Sequence, residues 1–250
     1  MRLDVKNLNF GYTKKVQILH NINFSVESGQ LVSLIGPNGS GKTTIIKCIN
    51  QILSPQSGQI FLDGTNVHTM RTMELAKKVG YVPQMTKNFM GGTVLDAVLM
   101  GRRPYIKWKI TDYDVTLVLE ILKKLEITHL AHKEYEALSG GKKQKVLIAR
   151  ALAQNPDVYL FDEPTSFLDI KNQLEIMNMA KELVHQHHKL VIMVVHDLTM
   201  ALRYSDYIVL LEKGSVISQG VSHQVLNSEN IFNVYGVNVN ILEGNYVAPI

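Results

Sequence analysis

The stretch LVSLIGPNGSGKTTII, residues 31–46, decides the fold of this 250-residue chain. Residues 31–35 have the length and mostly apolar character of a buried strand, and the periodicity of residues 42–53 predicts a helix after it. Between them, residues 36–43 match the pattern G-x-x-x-x-G-K-S/T. The order strand, glycine-rich loop, helix predicts a phosphate-binding loop, and a plain glycine-rich turn is the alternative.

The chemistry of this loop favours a nucleotide. Its glycines allow backbone N–H groups to converge on phosphate oxygens, and Lys42 adds a positive charge for the β- and γ-phosphates. The Thr43 hydroxyl is suited to binding Mg²⁺. The loop residues that we expect to bind the nucleotide are Gly36, Asn38, Gly39, Ser40, Gly41, Lys42, Thr43 and Thr44.

The rest of the chain predicts an α/β fold with a mainly parallel sheet. Apolar runs at residues 158–161 and 190–195 are each followed by a helical pattern, at 169–185 and 198–204. Alternation of β runs with helical patterns is typical of crossover units.

Two regions depart from this alternation. Even spacing of apolar residues within 16–26 and a short β run at 59–62 predict an antiparallel β layer. Residues 93–100, 112–125 and 139–153 all have helical patterns, which predicts a helical insertion. We therefore expect one domain over residues 1–250: a nucleotide-binding α/β core with its β layer (1–90 and 154–250) and a helical subdomain (91–153).

Two acids end the apolar run 158–161. Asp162 is placed to orient the shell of a Mg²⁺ ion, and Glu163 to polarise an attacking water. Acids at strand ends are also common as helix caps or solvated turns, and it is the phosphate loop that favours the catalytic interpretation.

A second anion-binding helix start is predicted at Ser139, Gly140 and Gly141, because free N–H groups and the helix dipole there favour negative charge. An ordinary serine N-cap is the alternative.

Taken together, these motifs resemble those of the nucleotide-binding subunits of ATP-binding-cassette (ABC) transporters, over essentially the whole chain. Residues 138–141, Leu-Ser-Gly-Gly, resemble the signature peculiar to that family, although Lys142 stands where the family usually has Gln or another polar residue. Gln84 resembles the Q-loop glutamine that approaches Mg²⁺ and senses the membrane partner. The residues after it, 85–90, include the apolar Phe89 and Met90, which are expected either to receive a short helix of the membrane partner or simply to cap the core. His196 resembles the switch histidine that contacts the γ-phosphate, and Tyr12 the aromatic residue that stacks on adenine.

The resemblance implies a P-loop NTPase (RecA-like) fold and a set of roles. ATP and Mg²⁺ are the implied cofactors, with Thr43, Gln84 and Asp162 around the metal. Catalysis is implied for Lys42, Gln84, Glu163 and His196. Residues 166–169 resemble the D-loop.

The resemblance also implies partners. In the family, the signature of one subunit closes over the ATP held by the phosphate loop of the other, so a homodimer with two ATP molecules is expected. An integral membrane permease is the implied partner, with an extracytoplasmic substrate-binding protein acting indirectly. Nucleic acid is not expected.

Residues 98–105 and 200–206 resemble stretches found in ATPases that drive import of metal chelates such as iron-siderophores, haem or vitamin B12, and in some relatives molybdate or tungstate. Other importers are the alternative. A soluble ABC ATPase acting on nucleic acid or ribosomes and a scaffold without turnover are the competing classes. The first is disfavoured by the single cassette and the second by the presence of Glu163 and His196.

Composition is consistent with a globular protein without membrane spans. Hydrophobic residues make up 46% of the chain and the net charge is +4, too small to indicate nucleic-acid binding. The longest apolar run, residues 190–195, is too short to cross a bilayer, and the charged N-terminus does not resemble a signal peptide. We expect a peripheral protein on the cytoplasmic face of the cell membrane.

Three further features have less specific interpretations. Cys48, alone in the chain, is expected to be a buried, inert thiol. The histidines at 129, 132, 185, 187 and 188 lack clear ligand spacing and are expected on the surface. Trp108, in Lys107-Trp108-Lys109, is expected either to contact headgroups or a partner or simply to pack against the protein.

Overall fold

The computed structural model describes residues 1–13, 16–84, 91–166, 168–242 and 246–250. Its strands are β1 (Arg2–Thr13), β2 (Val16–Glu27), β3 (Leu31–Ile35), β4 (Ser57–Leu62), β5 (Thr65–Asn66), β6 (Val79–Val82), β7 (Val158–Phe161), β8 (Leu190–Val194), β9 (Tyr207–Glu212), β10 (Ser215–Val221), β11 (Val239–Leu242) and β12 (Tyr246–Pro249). Its α-helices are α1 (Lys42–Ile49), α2 (Thr72–Lys78), α3 (Val94–Leu99), α4 (Asp112–Lys124), α5 (Gly140–Gln154), α6 (Ile170–His185), α7 (Leu198–Tyr204), α8 (Ser222–Val225) and α9 (Ser228–Tyr235).

A six-stranded sheet in the order β10-β9-β3-β8-β7-β6 forms the centre of the molecule. Neighbouring strands from β9 to β6 are parallel, and β10 joins β9 antiparallel at one edge. The prediction of a mainly parallel sheet is confirmed. Strand β3, which leads into the phosphate loop, has neighbours on both sides, because the chain adds β6, β7 and β8 on one side and then β9 on the other.

Both faces of this sheet are buried, which explains why its strands are almost continuously apolar. Successive side chains alternate between two hydrophobic clusters. In β3, Leu31 and Ile35 contribute to a cluster shared with helices α3 to α7, whereas Val32 and Leu34 contribute to a cluster shared with α1 and the N-terminal strands.

The second layer is a four-stranded antiparallel sheet, β2-β1-β4-β5, as predicted from residues 16–26 and 59–62. Its β4–β5 hairpin turns at Asp63 and Gly64, both with positive φ, which matches the twist of a two-residue hairpin. Cys48 lies between this layer and the main sheet with no exposed surface, and its predicted burial is confirmed.

Helices dominate the region between β6 and β7. Helices α3, α4 and α5 pack on one another there, and the β structure among its described residues is one isolated bridge between Thr93 and Glu134. The three helices predicted from periodicity are all present, and no end differs from its prediction by more than one residue.

Helix α1 is shorter than predicted, and the expectation that it reaches residue 53 is wrong. It ends at Ile49, and Gln51 takes a left-handed conformation with φ of 57°. The backbone N–H groups of Ile52 and Leu53 both bond to the Lys47 carbonyl, so the chain closes into a turn instead of continuing the helix.

None of the described helices combines the length and the apolar character needed to cross a bilayer.

Candidate functional site

Four chain segments with predicted roles meet at one edge of the main sheet. Strands β3, β8, β7 and β6 are adjacent and parallel, so their carboxyl ends lie side by side. The phosphate loop follows β3, Gln84 follows β6, Asp162 and Glu163 follow β7, and His196 follows β8. This is the edge at which open α/β sheets bind ligands.

Two glycines of the loop have geometric reasons to be glycine. Gly36 has φ of 145°, and a Cβ there would lie 2.1 Å from the Leu211 carbonyl oxygen. Gly41 has φ of 99°, and a Cβ would lie 2.5 Å from Leu19 Cδ2. Side chains at these positions would therefore displace the loop from the strands beneath it.

Polar groups of the loop are presented for an anion. The Lys42 ammonium donates to the carbonyls of Gly36 at 2.7 Å and Pro37 at 2.9 Å. Burial lowers the pKa of Lys42, against the attraction of Glu163 and Asp162. Ser40 Oγ is buried and has no hydrogen-bond partner among the described residues. A phosphate oxygen would complete this cradle.

The residues present fit a Mg²⁺ ion. Thr43 Oγ1 donates to Asp162 Oδ1 at 2.7 Å, which brings a hydroxyl and a carboxylate oxygen to one point beside the loop. The Tyr81 hydroxyl donates to Asp162 Oδ2 at 3.2 Å. Burial raises the pKa of Asp162 even though both hydrogen bonds oppose the shift. A buried carboxylate with a neighbouring hydroxyl is a suitable ligand pair for a hard cation.

Glu163 is held by three donors. His196 Nε2 lies 2.6 Å from Oε1, while Gln84 Nε2 and Ser166 Oγ donate to Oε2 at 2.5 Å and 3.0 Å. The residue itself has φ of 51°, a left-handed conformation that is uncommon for a non-glycine residue. Three residues predicted from separate stretches of sequence therefore meet at one carboxylate.

A cavity of about 270 Å³ opens between the loop and this carboxylate. Asn38, Gly39, Lys42 and Glu163 line it together with Tyr12. The Tyr12 ring is 63% exposed and contacts the Phe10 ring edge-to-face at 5.0 Å, so one of its faces can receive a planar base.

The signature residues lie elsewhere on the surface. Ser139 is the N-cap of α5, yet its side chain makes no capping hydrogen bond, unlike an ordinary serine cap. Gly140, Gly141, Lys142 and other residues line a separate cavity of about 520 Å³. The lining of this cavity shares no residue with that of the phosphate-loop cavity.

A third concavity of about 470 Å³ lies between the main sheet and the helical region; we call it the sheet–helix groove. Its lining includes Ile52, Leu75, Met100, Gly101 and Gln154. Ile52 and Met100 are each more than half exposed, so the groove has an apolar rim.

Two contacts at the site were not predicted from sequence. Tyr81 bonds to Asp162, and the Tyr235 hydroxyl accepts a hydrogen bond from the Gly36 backbone N–H while burial raises its pKa to about 12. Tyr81 is three residues before Gln84, and its nearness to a predicted site residue was a signal that it could lie at the site. Tyr235 lies about 200 residues from Gly36, and only the folded chain brings them together.

Some predicted features lie outside the described residues: residues 85–90, which follow Gln84, and Phe167 in the D-loop. Within the described ranges, no cluster of three or more His, Cys, Asp or Glu side chains is arranged to hold a metal ion, so the surface histidines form no such group.

A phosphate loop, a ligand pair suited to Mg²⁺ and a carboxylate held beside them define a P-loop nucleotide hydrolase. Comparison with known proteins narrows the class. The family model for ABC transporters matches residues 19–166, and this chain belongs to that family as an ATP-binding, ATP-hydrolysing cassette.

Two relatives match along nearly their whole length. An uncharacterized ABC transporter ATP-binding protein of Methanocaldococcus jannaschii is 47% identical over 96% of this chain and 94% of its own. The iron(3+)-hydroxamate import ATP-binding protein FhuC of Bacillus subtilis is 36% identical over 96% of this chain and 90% of its own.

Among solved structures, an inward-facing conformation of a putative metal-chelate type ABC transporter matches with a TM-score of 0.84 and 29% identity. The match covers 99% of this chain and 97% of that one. The predicted fold class is thereby confirmed.

Proposed function

We propose that this protein is the ATPase subunit of an ABC importer and powers uptake of a metal chelate, such as an iron-siderophore, haem or cobalamin, through a separate permease. The observation that carries the proposal is whole-chain similarity to an iron(3+)-hydroxamate import protein together with an intact nucleotide site. The subunit would act peripherally on the cytoplasmic face of the membrane.

In this proposal the loop amides and Lys42 bind the ATP phosphates, Thr44 adds its hydroxyl, and Tyr12 stacks on adenine. Thr43, Asp162 and Gln84 surround Mg²⁺, which would neutralise phosphate charge when bound. Glu163 accepts a proton from the attacking water, and His196 orients Glu163 and contacts the γ-phosphate. The 2.6 Å and 2.5 Å contacts to His196 and Gln84 support a carboxylate whose position is fixed before the water arrives.

The second copy of the chain is part of this proposal. Ser139, Gly140 and Gly141 would close over the ATP of the partner subunit, because their cavity and the phosphate-loop cavity share no lining within one chain. Each dimer would then hold two ATP molecules, in agreement with the two-fold symmetry common among homodimers.

The permease would dock at the sheet–helix groove. A short helix presenting apolar residues suits a groove with an apolar rim, and the groove lies between the sheet that carries the catalytic residues and the helices that carry the signature. Movement of the helical region relative to the main sheet would then change the position of the signature residues relative to the catalytic residues. In this proposal, residues 91–153 form the helical subdomain, and residues 1–90 and 154–250 form the core.

The decisive experiment pairs isolation with uptake. The tagged chain is purified from its native membranes, the bound proteins are identified, and phosphate release from ATP is measured. A strain lacking the gene is assayed for uptake of radiolabelled ferric hydroxamate, haem and cobalamin, with a Glu163→Gln copy as the control. We expect a copurifying permease and loss of uptake of one chelate, restored by the wild-type copy alone. Copurification with ribosomes or RNA and unchanged uptake of all three would contradict the proposal.

A further inference from the structure

The segment of residues 103–110 carries an unusual exposed side chain. Trp108 is 97% exposed, although tryptophan is among the most apolar side chains and is usually at least partly covered. Of the two alternatives predicted for it, packing against the protein is therefore wrong. We call residues 103–110 the basic aromatic segment.

The charged residues on either side of Trp108 in the sequence are basic. Residues 97–111 contain Arg102, Arg103, Lys107 and Lys109 and no Asp or Glu. Arg102 is committed to a buried ion pair with Asp114, but the other three cations are on the exposed surface of the segment. Trp108 is thus an exposed apolar side chain with a lysine on each side of it in the sequence.

The base of the segment is fixed to the helical region. The Tyr105 hydroxyl donates to the Gln154 carbonyl at 3.0 Å, and the Arg102 guanidinium lies 4.4 Å from the centre of the Tyr105 ring. Arg102 also donates to the Ala153 carbonyl. The segment is therefore anchored at its base and presents its tip outward.

These contacts of Tyr105 and Arg102 place the segment beside the sheet–helix groove. Gln154, which accepts the hydrogen bond from Tyr105, lines that groove, as do Met100 and Gly101 immediately before the segment. Lys77 of α2, on the other wall, lies 5.9 Å from the centre of the Tyr105 ring. If the groove receives the permease, the basic aromatic segment is on the side of the protein that faces the membrane.

We propose that the basic aromatic segment is a membrane contact, in which Trp108 inserts into the headgroup region while Arg103, Lys107 and Lys109 pair with anionic lipid phosphates. Indole rings favour the bilayer interface, and lysine and arginine near an anionic surface each add to the attraction. The inference rests on the proposed function for its orientation only. An acidic protein surface would also suit the cations, and the experiment separates the two.

Trp108 is the chain's single tryptophan, so its fluorescence reports on the segment directly. The purified full chain is mixed with vesicles of phosphatidylglycerol and phosphatidylcholine, or of phosphatidylcholine alone, at about 50 mM and about 500 mM salt. We expect a blue shift of the emission, and quenching by brominated lipid, with the anionic vesicles at low salt. Both effects should weaken at high salt and with neutral vesicles.

Charge reversal gives the matched comparison. Lys107→Glu/Lys109→Glu should weaken vesicle binding, measured by cosedimentation, by about tenfold or more. Lys123→Glu/Lys133→Glu, at two exposed lysines of the same helical region, should bind like the wild type. Trp108→Ala should also bind more weakly. All variants should keep the ATP hydrolysis rate of the isolated subunit, because the segment is outside the nucleotide site.

The outcomes distinguish this inference from the proposed function. An unchanged Trp108 emission with anionic vesicles, in a subunit that hydrolyses ATP and copurifies with a permease, overturns the membrane contact and leaves the function intact. A blue shift seen only when the permease is present in neutral lipid assigns the segment to a protein surface and also overturns it. A subunit without ATPase activity or permease would count against the proposed function instead.

Discussion

The Glu163 carboxylate has both oxygens engaged by side chains of its own chain, from His196, Gln84 and Ser166. These donors fix its orientation, and a carboxylate fixed beside the phosphate loop can take a proton from a water without first reorganising. Glu163 also has a left-handed backbone conformation, two residues after the end of β7, and such a conformation persists only where surrounding contacts hold it.

We predict that Glu163→Gln binds ATP with nearly normal affinity but hydrolyses it at least about a hundredfold more slowly, because an amide is nearly isosteric and cannot act as a base. Phosphate release measures the rate, calorimetry the affinity, and light scattering the ATP-bound dimer expected to accumulate. Glu120→Gln, at an exposed position of α4, is the control. Hydrolysis at the wild-type rate in Glu163→Gln would exclude Glu163 as the base.

Lys42 supports a second prediction at this scale. The residue is 5% exposed and its ammonium bonds to two loop carbonyls, so it is positioned before any nucleotide arrives. Lys42→Ala should weaken ATP binding by about ten- to a hundredfold, the effect of losing a charge-assisted contact. Calorimetry with a parallel melting curve checks the result. Near-normal ATP affinity in a folded variant would refute the role given to Lys42.

Cys48 gives a prediction about pH. Burial raises the pKa of its thiol to about 12, whereas in the unfolded chain it ionises near the ordinary value of about 9. Its contribution to stability is therefore complete below pH 9 and decreases as the pH rises from about 9 toward 12.

The measurement is urea unfolding of the wild type and Cys48→Ala at pH 7 and pH 10. The difference in free energy of unfolding between them should shrink by about 1.4 kcal/mol at pH 10, because only the wild type has a thiol to ionise. A pH-independent difference would show that the thiol is accessible in the folded state.

Among the secondary-structure elements, two helices of the helical region begin with the same capping motif, but the capping carboxylate is exposed in one helix and buried in the other. Thr93 and Asp96 form a capping box at the start of α3, and Thr111 and Asp114 form one at the start of α4. Asp96 is exposed, whereas Asp114 is buried and also accepts from Arg102 Nε at 2.9 Å. The Thr111 hydroxyl, and then Arg102, hold the pKa of Asp114 below its usual range.

Asp114→Ala should therefore lower the free energy of unfolding by about 3 kcal/mol, because it removes a cap and leaves the buried Arg102 guanidinium without its partner. Asp96→Ala should cost only about 1 kcal/mol, the value of a cap alone. Urea unfolding of both variants at pH 7 measures the two losses. Equal losses would mean that the ion pair with Arg102 contributes nothing.

The elements also show what could be predicted from sequence. Strands β3, β7 and β8 were predictable because burial on both faces requires unbroken apolar runs. The end of α1 was not, because it depends on a left-handed turn at Gln51 and not on apolar periodicity. Strands β9 and β10 do carry signals in the sequence, namely the apolar run of β9 and the turn at Lys213 and Gly214.

The site also has parts that could be predicted from the sequence and a contact that could not. The loop, Asp162, Glu163 and His196 were predictable because each follows a strand, and parallel strands bring their ends together. The contact of Tyr235 with Gly36 could not be predicted, because it depends on how α9 returns to the main sheet.

The whole molecule has two separate cavities, which we propose are the two halves of a nucleotide site. The phosphate-loop cavity lies at the edge of the main sheet, while the signature cavity lies at the start of α5 and is lined by different residues. Ser139 makes no capping bond, so replacing its side chain should leave α5 folded. A pair of variants can therefore test whether the halves belong to one chain or to two.

Ser139→Arg should abolish hydrolysis while the isolated subunit still binds ATP, because Ser139 would serve the nucleotide of the partner. Mixed with Lys42→Ala, which is also inactive alone, it should form heterodimers with one site free of both defects. An equal mixture contains about half heterodimers with half their sites intact, so activity should recover to about a quarter of the wild-type rate at most.

The matched control replaces the Ser139→Arg chain with the double variant Lys42→Ala/Ser139→Arg. In that mixture every site carries at least one defect, so a site built between two chains predicts no recovery. Phosphate release is measured after the two variants, carrying different affinity tags, have been shown to copurify as heterodimers. Recovery in the first mixture alone requires that each ATP lie between two subunits. Inactivity of both mixtures with verified heterodimers would leave the trans arrangement without support, and the signature cavity would then need another ligand.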